Sequence, residues 1–151
     1  MTNEELKSSI QELPTTLVFE DGGEWVNVFV EPTDFRNFVQ SLRITNGLDF
    51  DFLFCLTCVD WKTHFTMVYH FTSTIHRHQL VVKCKLDRND PFIATVCDIW
   101  RTAELLEREV FDLFGVKFID HPDLRRLLLT DDWVGYPLRK DYEDPINMIK
   151  L

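Results

Sequence analysis

The side chains in this 151-residue sequence that could bind a metal or carry electrons are four Cys and five His. Cys55 and Cys58 form a C-x-x-C, a spacing shared by thiol redox pairs and by half of many metal sites. A redox pair of that kind sits at a helix N-terminus, where the dipole lowers the thiol pKa. Here the surroundings, FDFLFCLTCVDW, read as a strand. Residues three apart on a strand point to opposite faces, so the two sulfurs cannot share a bond or a ligand. Cys84 and Cys97 add no second pair. Reduced, buried thiols are the expectation, with no iron–sulfur or zinc site. His64, His70, His76 and His78 fall on strands or their joining loop, and no carboxylate or Cys cluster completes a metal set around them. No G-x-G-x-x-G, P-loop, G-x-S-x-G or H-E-x-x-H occurs.

The elements that must position these groups follow from the hydrophobic pattern. Thr2 or Asn3 caps a first helix with Glu4 and Glu5 in its first turn, and Pro14 ends it. A hairpin-like pair follows, Leu17–Glu20 and Trp25–Glu31, joined at Asp21-Gly22-Gly23. Pro32 opens a helix to about Arg43 with Phe35, Phe38, Val39 and Leu42 as its stripe, and Asn46-Gly47 turns the chain back. Strands are expected at about 51–60, 65–72 and 79–86. Helix, two strands, helix, three strands predicts an α+β fold: two layers, a mixed β-sheet covered by helices on one face, plus an extended irregular C-terminal tail. The domain is expected over 1–115 and the tail over 116–151.

A last helix carries Glu107-Arg108-Glu109. Ala103, Leu106, Val110, Leu113 and Phe114 make its apolar stripe, and Gly115 stands where a C-terminal cap belongs. Glu104, Arg108 and Asp112 follow at i, i+4, a pattern that predicts a solvated charged face. Glu107 falls at the edge of the stripe, where a carboxylate is costly unless paired or protonated. An ion pair with Arg125 or Arg126, made when the tail folds back, is the expectation.

Beyond Gly115 the chain has no period. Pro122, Gly135, Pro137 and Pro145 interrupt it, yet it holds Leu124, Leu127, Leu128, Leu129, Trp133, Val134, Tyr136, Leu138 and Tyr142. That is too apolar for a disordered linker and too greasy for bare solvent. Burial against a partner is expected. Arg125-Arg126 and Arg139-Lys140 offer donors to partner carboxylates, and Asp123, Asp131, Asp132 and Asp141 the converse. His121 beside Pro122 reads as a structural hydrogen-bonder.

The run from Glu107 to Tyr142 also resembles the signature of the C-type subunit of the proton-pumping NADH-quinone oxidoreductase, respiratory complex I, with its chloroplast-type and hydrogenase-like relatives. The matching residues are Glu107, Arg108, Glu109, Asp112, Phe114 and Gly115, His121-Pro122, Leu124-Arg125-Arg126, Asp132-Trp133, and Gly135-Tyr136-Pro137-Leu138-Arg139-Lys140-Asp141-Tyr142, with Asp60-Trp61 also in keeping. The resemblance covers roughly the last two thirds of the chain. It departs at Leu105, where the family usually has an aromatic. It implies a scaffold subunit of the hydrophilic arm with no cofactor of its own. Flavin and iron–sulfur clusters would belong to partner subunits, and quinone would be met only indirectly. It implies docking on the quinone-site D-type subunit and the iron–sulfur subunits of B and I type. Glu107, Arg108, Glu109, Asp112, His121, Asp123, Leu124, Arg125, Arg126, Trp133, Tyr136, Leu138, Arg139, Lys140, Asp141 and Tyr142 would be the partner-binding residues. A small free-standing thiol or metal redox protein using Cys55 and Cys58 is the alternative.

Composition agrees with a partner-rich folded subunit. Phe is over-used, at 13 residues, and aromatic side chains dominate cores and interfaces. The net charge of −9 argues against nucleic acid. Residues 1–115 carry 10 basic and 18 acidic groups, whereas 116–151 carry 6 and 7, so the tail is nearly neutral. No apolar run approaches the roughly 20 residues that span a bilayer. The N-terminus reads as a capped acidic helix rather than a signal peptide, and DPINMIKL as a natural ending. A peripheral place on the cytoplasmic side of a bacterial inner membrane, reached through other subunits, is the expectation.

Overall fold

The computed structural model describes residues 1–149; residues 150 and 151, the end of the expected tail, lie outside the described residues. Helix α1 (Asn3–Gln11) is closed by a capping box in which Thr2 and Glu5 satisfy each other's backbone N–H. Strands β1 (Leu17–Glu20) and β2 (Val26–Val30) pair antiparallel. Helix α2 (Pro32–Ile44) starts on Pro32, whose missing N–H costs nothing there. Strands β3 (Phe52–Asp60), β4 (His64–Ser73) and β5 (His78–Asp87) form an antiparallel meander.

β5 then lies parallel to β2, with Val26 opposite Leu80 and Val28 opposite Val82, which joins the two sets into one sheet of order β1-β2-β5-β4-β3. Leu53, Leu56 and Cys58 of β3, Phe65, Met67, Tyr69 and Phe71 of β4, and Leu80, Val82, Cys84 and Leu86 of β5 all turn to the same side. There they meet Leu6 and Ile10 of α1, Phe35, Phe38, Val39 and Leu42 of α2, and Val110 and Phe114 of helix α3 (Ala103–Phe114) in one core. The α+β fold, with a mixed sheet covered on one face, is as the pattern predicts.

Two short strands lie outside that pattern. β6 (Phe92–Ala94) and β7 (Lys117–Ile119) pair parallel across α3. Val116 and Phe118 are buried in the core, so the packed domain runs past Gly115 to about Ile119. Beyond Phe118 no described residue is buried as a whole, although the imidazole of His121 is.

Candidate docking site and buried carboxylate

All four Cys are free. Cys58 is buried and its thiol pushed up to about 12 by desolvation and by Asp60, while burial also raises Cys55, Cys84 and Cys97. Raised thiols are poor nucleophiles and poor metal ligands. Cys55 is half-exposed and Cys58 faces the core, as residues three apart on β3 must.

The tail is held by carboxylates of the domain. Asp112, fully buried on α3, accepts the consecutive N–H groups of Leu127, Leu128 and Leu129 on Oδ2 at 3.1, 2.7 and 2.9 Å. Its Oδ1 takes the Arg126 guanidinium at 2.9 Å. Burial alone would raise this carboxyl, but those hydrogen bonds together hold it below the usual range. Arg126 goes on to the carbonyls of Trp133 and Gly135, and Arg108 donates to those of Arg125 and Arg126.

The face expected to be solvated is therefore covered. Arg108 and Asp112 are buried beneath the tail, and their partners are tail groups rather than one another. A strap without secondary structure must find donors and acceptors for its backbone, and these two side chains supply them.

A second anchor lies at the end of β3. Asp60 accepts both prongs of Arg88, the N–H of Lys62, and the N–H of Lys140 at 2.9 Å. The Arg88 guanidinium beside it holds this carboxyl well below the usual range. Arg88 also grips Asp141 of the tail.

Between the two anchors Arg139 donates to the Phe114 carbonyl at 2.7 Å and lies over the rings of Phe65 and Tyr136. Gly115 makes this approach possible. Its φ is +78°, and a Cβ there would sit 2.6 Å from the Tyr136 ring.

Of the residues expected at the partner surface, Glu107, Arg108 and Asp112 are buried, while Leu124, Arg126, Trp133, Tyr136, Arg139 and Tyr142 are half-buried against the domain. The His121 ring is buried and bonded within the chain. Glu109, Asp123, Arg125, Leu138, Lys140 and Asp141 are exposed, Asp123 and Arg125 as a mutual ion pair. The most exposed apolar side chains of the tail include others: Leu128 at 65%, Val134 at 87%, Ile146 at 88% and Ile149 at 87%. The strip as a whole is legible in the residue pattern; only the turn around Asp112 decides which Leu faces inward.

Glu107 also departs from expectation. It makes no pair with Arg125 or Arg126, which are taken by Asp123 and Asp112. Its carboxyl is fully buried and accepts the Val96 N–H at 2.8 Å on one oxygen and the Thr95 hydroxyl on the other. Donor atoms of Cys97, Glu107 and His121 come within 4.8 Å of one another. They are not a ready ligand set. His121 Nε2 is bonded to the Glu104 carbonyl and Nδ1 accepts the Asp123 N–H, which leaves no free lone pair.

The fold and its straps define a class: a small α+β domain whose C-terminal extension is tied back across its last helix by buried carboxylates. The chain belongs to the family described as respiratory-chain NADH dehydrogenase, 30 Kd subunit, whose profile matches residues 28–146. It is 46% identical over 114 residues to the C/D subunit of NADH-quinone oxidoreductase from Phocaeicola vulgatus, a match covering 74% of this chain but only 22% of that longer protein. It is 41% identical to the C subunit of NADH-quinone oxidoreductase from Geotalea uraniireducens, over 92% of this chain and 82% of the relative. Among solved structures, a trypsin-resistant fragment of Nqo5 superimposes with a TM-score of 0.69 at 28% identity, covering 80% of this chain and 98% of the fragment. A polypeptide of the membrane-bound sulfane sulfur reductase, an archaeal respiratory membrane complex, gives 0.80 at 28% identity, covering 93% and 85%.

Proposed function

We propose that this chain is a scaffold subunit of the hydrophilic arm of a proton-translocating NADH-quinone oxidoreductase. It supports electron transfer to quinone by docking the quinone-site D-type subunit and the iron–sulfur subunits of B and I type. One observation carries the reading. The tail is shaped by the domain's own buried carboxylates, yet it turns Leu128, Val134, Leu138, Ile146 and Ile149 to solvent. An ordered strap presenting apolar side chains binds without first losing conformational freedom, which is what a permanent interface requires.

The relatives support the choice of partner. Proteins named for both C and D carry a C-like and a D-like part in one polypeptide, which suits two subunits that pack side by side. The likeness to part of an archaeal respiratory membrane complex suits membership of a larger assembly. Flavin and iron–sulfur clusters would sit in the partners, with no cofactor and no autonomous active site in this chain. No helix among the described residues is long and apolar enough to cross a membrane. Attachment to the cytoplasmic face of the inner membrane would then come through other subunits.

A tagged chain recovered from gently solubilised membranes tests the reading. Co-purification of D-, B- and I-type subunits is the expected outcome. Recovery of the chain by itself, or with a stoichiometric metal of its own, would overturn it.

A further inference from the structure

Glu107 has no place in docking, yet its surroundings are closely specified. Facing it are Thr95, Cys97 and Asp98 from the segment after β6, Arg36 from α2, Tyr69 from β4, and His121 from the turn after β7. His121 Nε2 lies 3.8 Å from the Glu107 carboxyl but donates instead to the Glu104 carbonyl, 3.0 Å away. Nδ1 accepts the Asp123 N–H at 3.0 Å, which assigns the ring proton to Nε2. One N–H therefore stands between two acceptors, the Glu104 carbonyl that it uses and the Glu107 carboxyl that it does not.

We propose that Glu107 and His121 form a proton-operated latch on the first turn of the tail. While Glu107 keeps its proton, the His121 Nε2–H stays on the Glu104 carbonyl and the turn at 121–123 is closed. When that proton leaves to solvent, the carboxylate draws Nε2–H to itself and the turn opens.

The physical reason is a change in acceptor strength. A charge-assisted hydrogen bond is roughly twice as strong as a neutral one, so ionised Glu107 outcompetes a backbone carbonyl. Closing the gap moves the ring by about 1 Å to reach hydrogen-bond distance. Nδ1, on the other side of the ring, follows and leaves the Asp123 N–H. A cleft of about 760 Å³ lined by Thr95, Cys97, Asp98, Glu104 and Pro122 gives the proton its path to water.

The working range is near neutrality. Burial pushes the Glu107 carboxyl up to about 7; the Thr95 and Val96 hydrogen bonds and Arg36 oppose this, and Asp98 adds to it. Asp98 stays ionised because Arg36 holds its carboxyl low, and burial keeps Cys97 neutral, so neither supplies the change. The latch belongs to this polypeptide alone; only its consequence for docking rests on the function proposed above.

The full chain with labelled histidine rings, followed by NMR from about pH 5.5 to about pH 8.5, tests it alongside infrared spectra of carboxylic acids. One acid band should vanish as pH rises through neutrality. The His121 ring nitrogens and the Asp123 amide should shift with the same midpoint. In Glu107→Gln that band should be missing, and the ring and amide signals should stay at their low-pH wild-type positions. A missing acid band at low pH, a His121 ring unmoved by its loss, or the same shifts persisting in Glu107→Gln would each overturn the latch. Should Glu107→Gln not fold, the wild-type band and ring signals decide the matter alone. None of these signals depends on a partner, so failure of docking and failure of the latch are told apart.

Discussion

Asp60, Asp112 and Glu107 are buried carboxyls with opposite fates. Asp60 and Asp112 each meet a guanidinium and several N–H donors, which outweigh desolvation. Glu107 meets two neutral donors and the charge of Asp98, and desolvation wins. Its folded pKa is raised, so the stability it contributes is fully present below about 4.5 and lost as pH climbs through about 7. Glu107→Gln removes that loss. Denaturant midpoints should show the variant gaining on wild type by up to about 3 kcal/mol between pH 5 and pH 8. His70 and His78, both lowered by burial, change stability in the opposite sense. They do so equally in both proteins, so the difference isolates Glu107. Tyr69 offers a simpler case: its hydroxyl is buried without a hydrogen-bond partner. Tyr69→Phe discards a desolvation cost at nearly constant shape and should raise stability by about 1 kcal/mol in thermal unfolding.

At the scale of elements, legibility follows periodicity. The capping box at Thr2, Pro32 at the start of α2, the alternation in β2 and the cap at Gly115 are local signals, and each marks the element that forms. β6 and β7 are three residues each and pair in parallel, too short to carry a period of two. α3 is the harder case because it is covered on two sides. Its apolar stripe faces the sheet and its charged ladder faces the strap, and a wheel cannot tell a solvated charge from one that satisfies a distant backbone. For the same reason the wheel points Glu107 towards an Arg, whereas its donors come from the segment after β6. Gly115 joins both sides of α3. An Ala there must hold a positive φ and clear the Tyr136 ring, so Gly115→Ala should lower stability by about 2 kcal/mol or more. The loss should appear as a lower unfolding midpoint together with faster trypsin cleavage after Arg125 and Arg126.

At the scale of the whole molecule, strapping and docking use different residues of the same tail. Asp112 binds inward and receives three backbone N–H groups and Arg126, whereas Leu128 and Val134 leave their side chains in solvent. Asp112→Ala strands those donors beneath a buried surface. It should cost about 3 kcal/mol and loosen residues 125–135 even in the isolated chain. The pair Leu128→Asp and Val134→Asp touches no hydrogen bond of the strap. Surface changes of that kind alter stability by about 0.5 kcal/mol or less, so the unfolding midpoint and trypsin resistance of the isolated chain should stay as in wild type. Two carboxylates placed where a partner excludes water should nevertheless abolish assembly, because neither would find a counter-charge there. Measuring both variants for thermal unfolding and for recovery of partner subunits from membranes separates the two roles. Full assembly by the Asp pair would show that the outward face of the turn is idle and that docking lies elsewhere on the chain. Lost assembly at unchanged stability would locate the interface on the outer side of a strap that the domain itself has shaped.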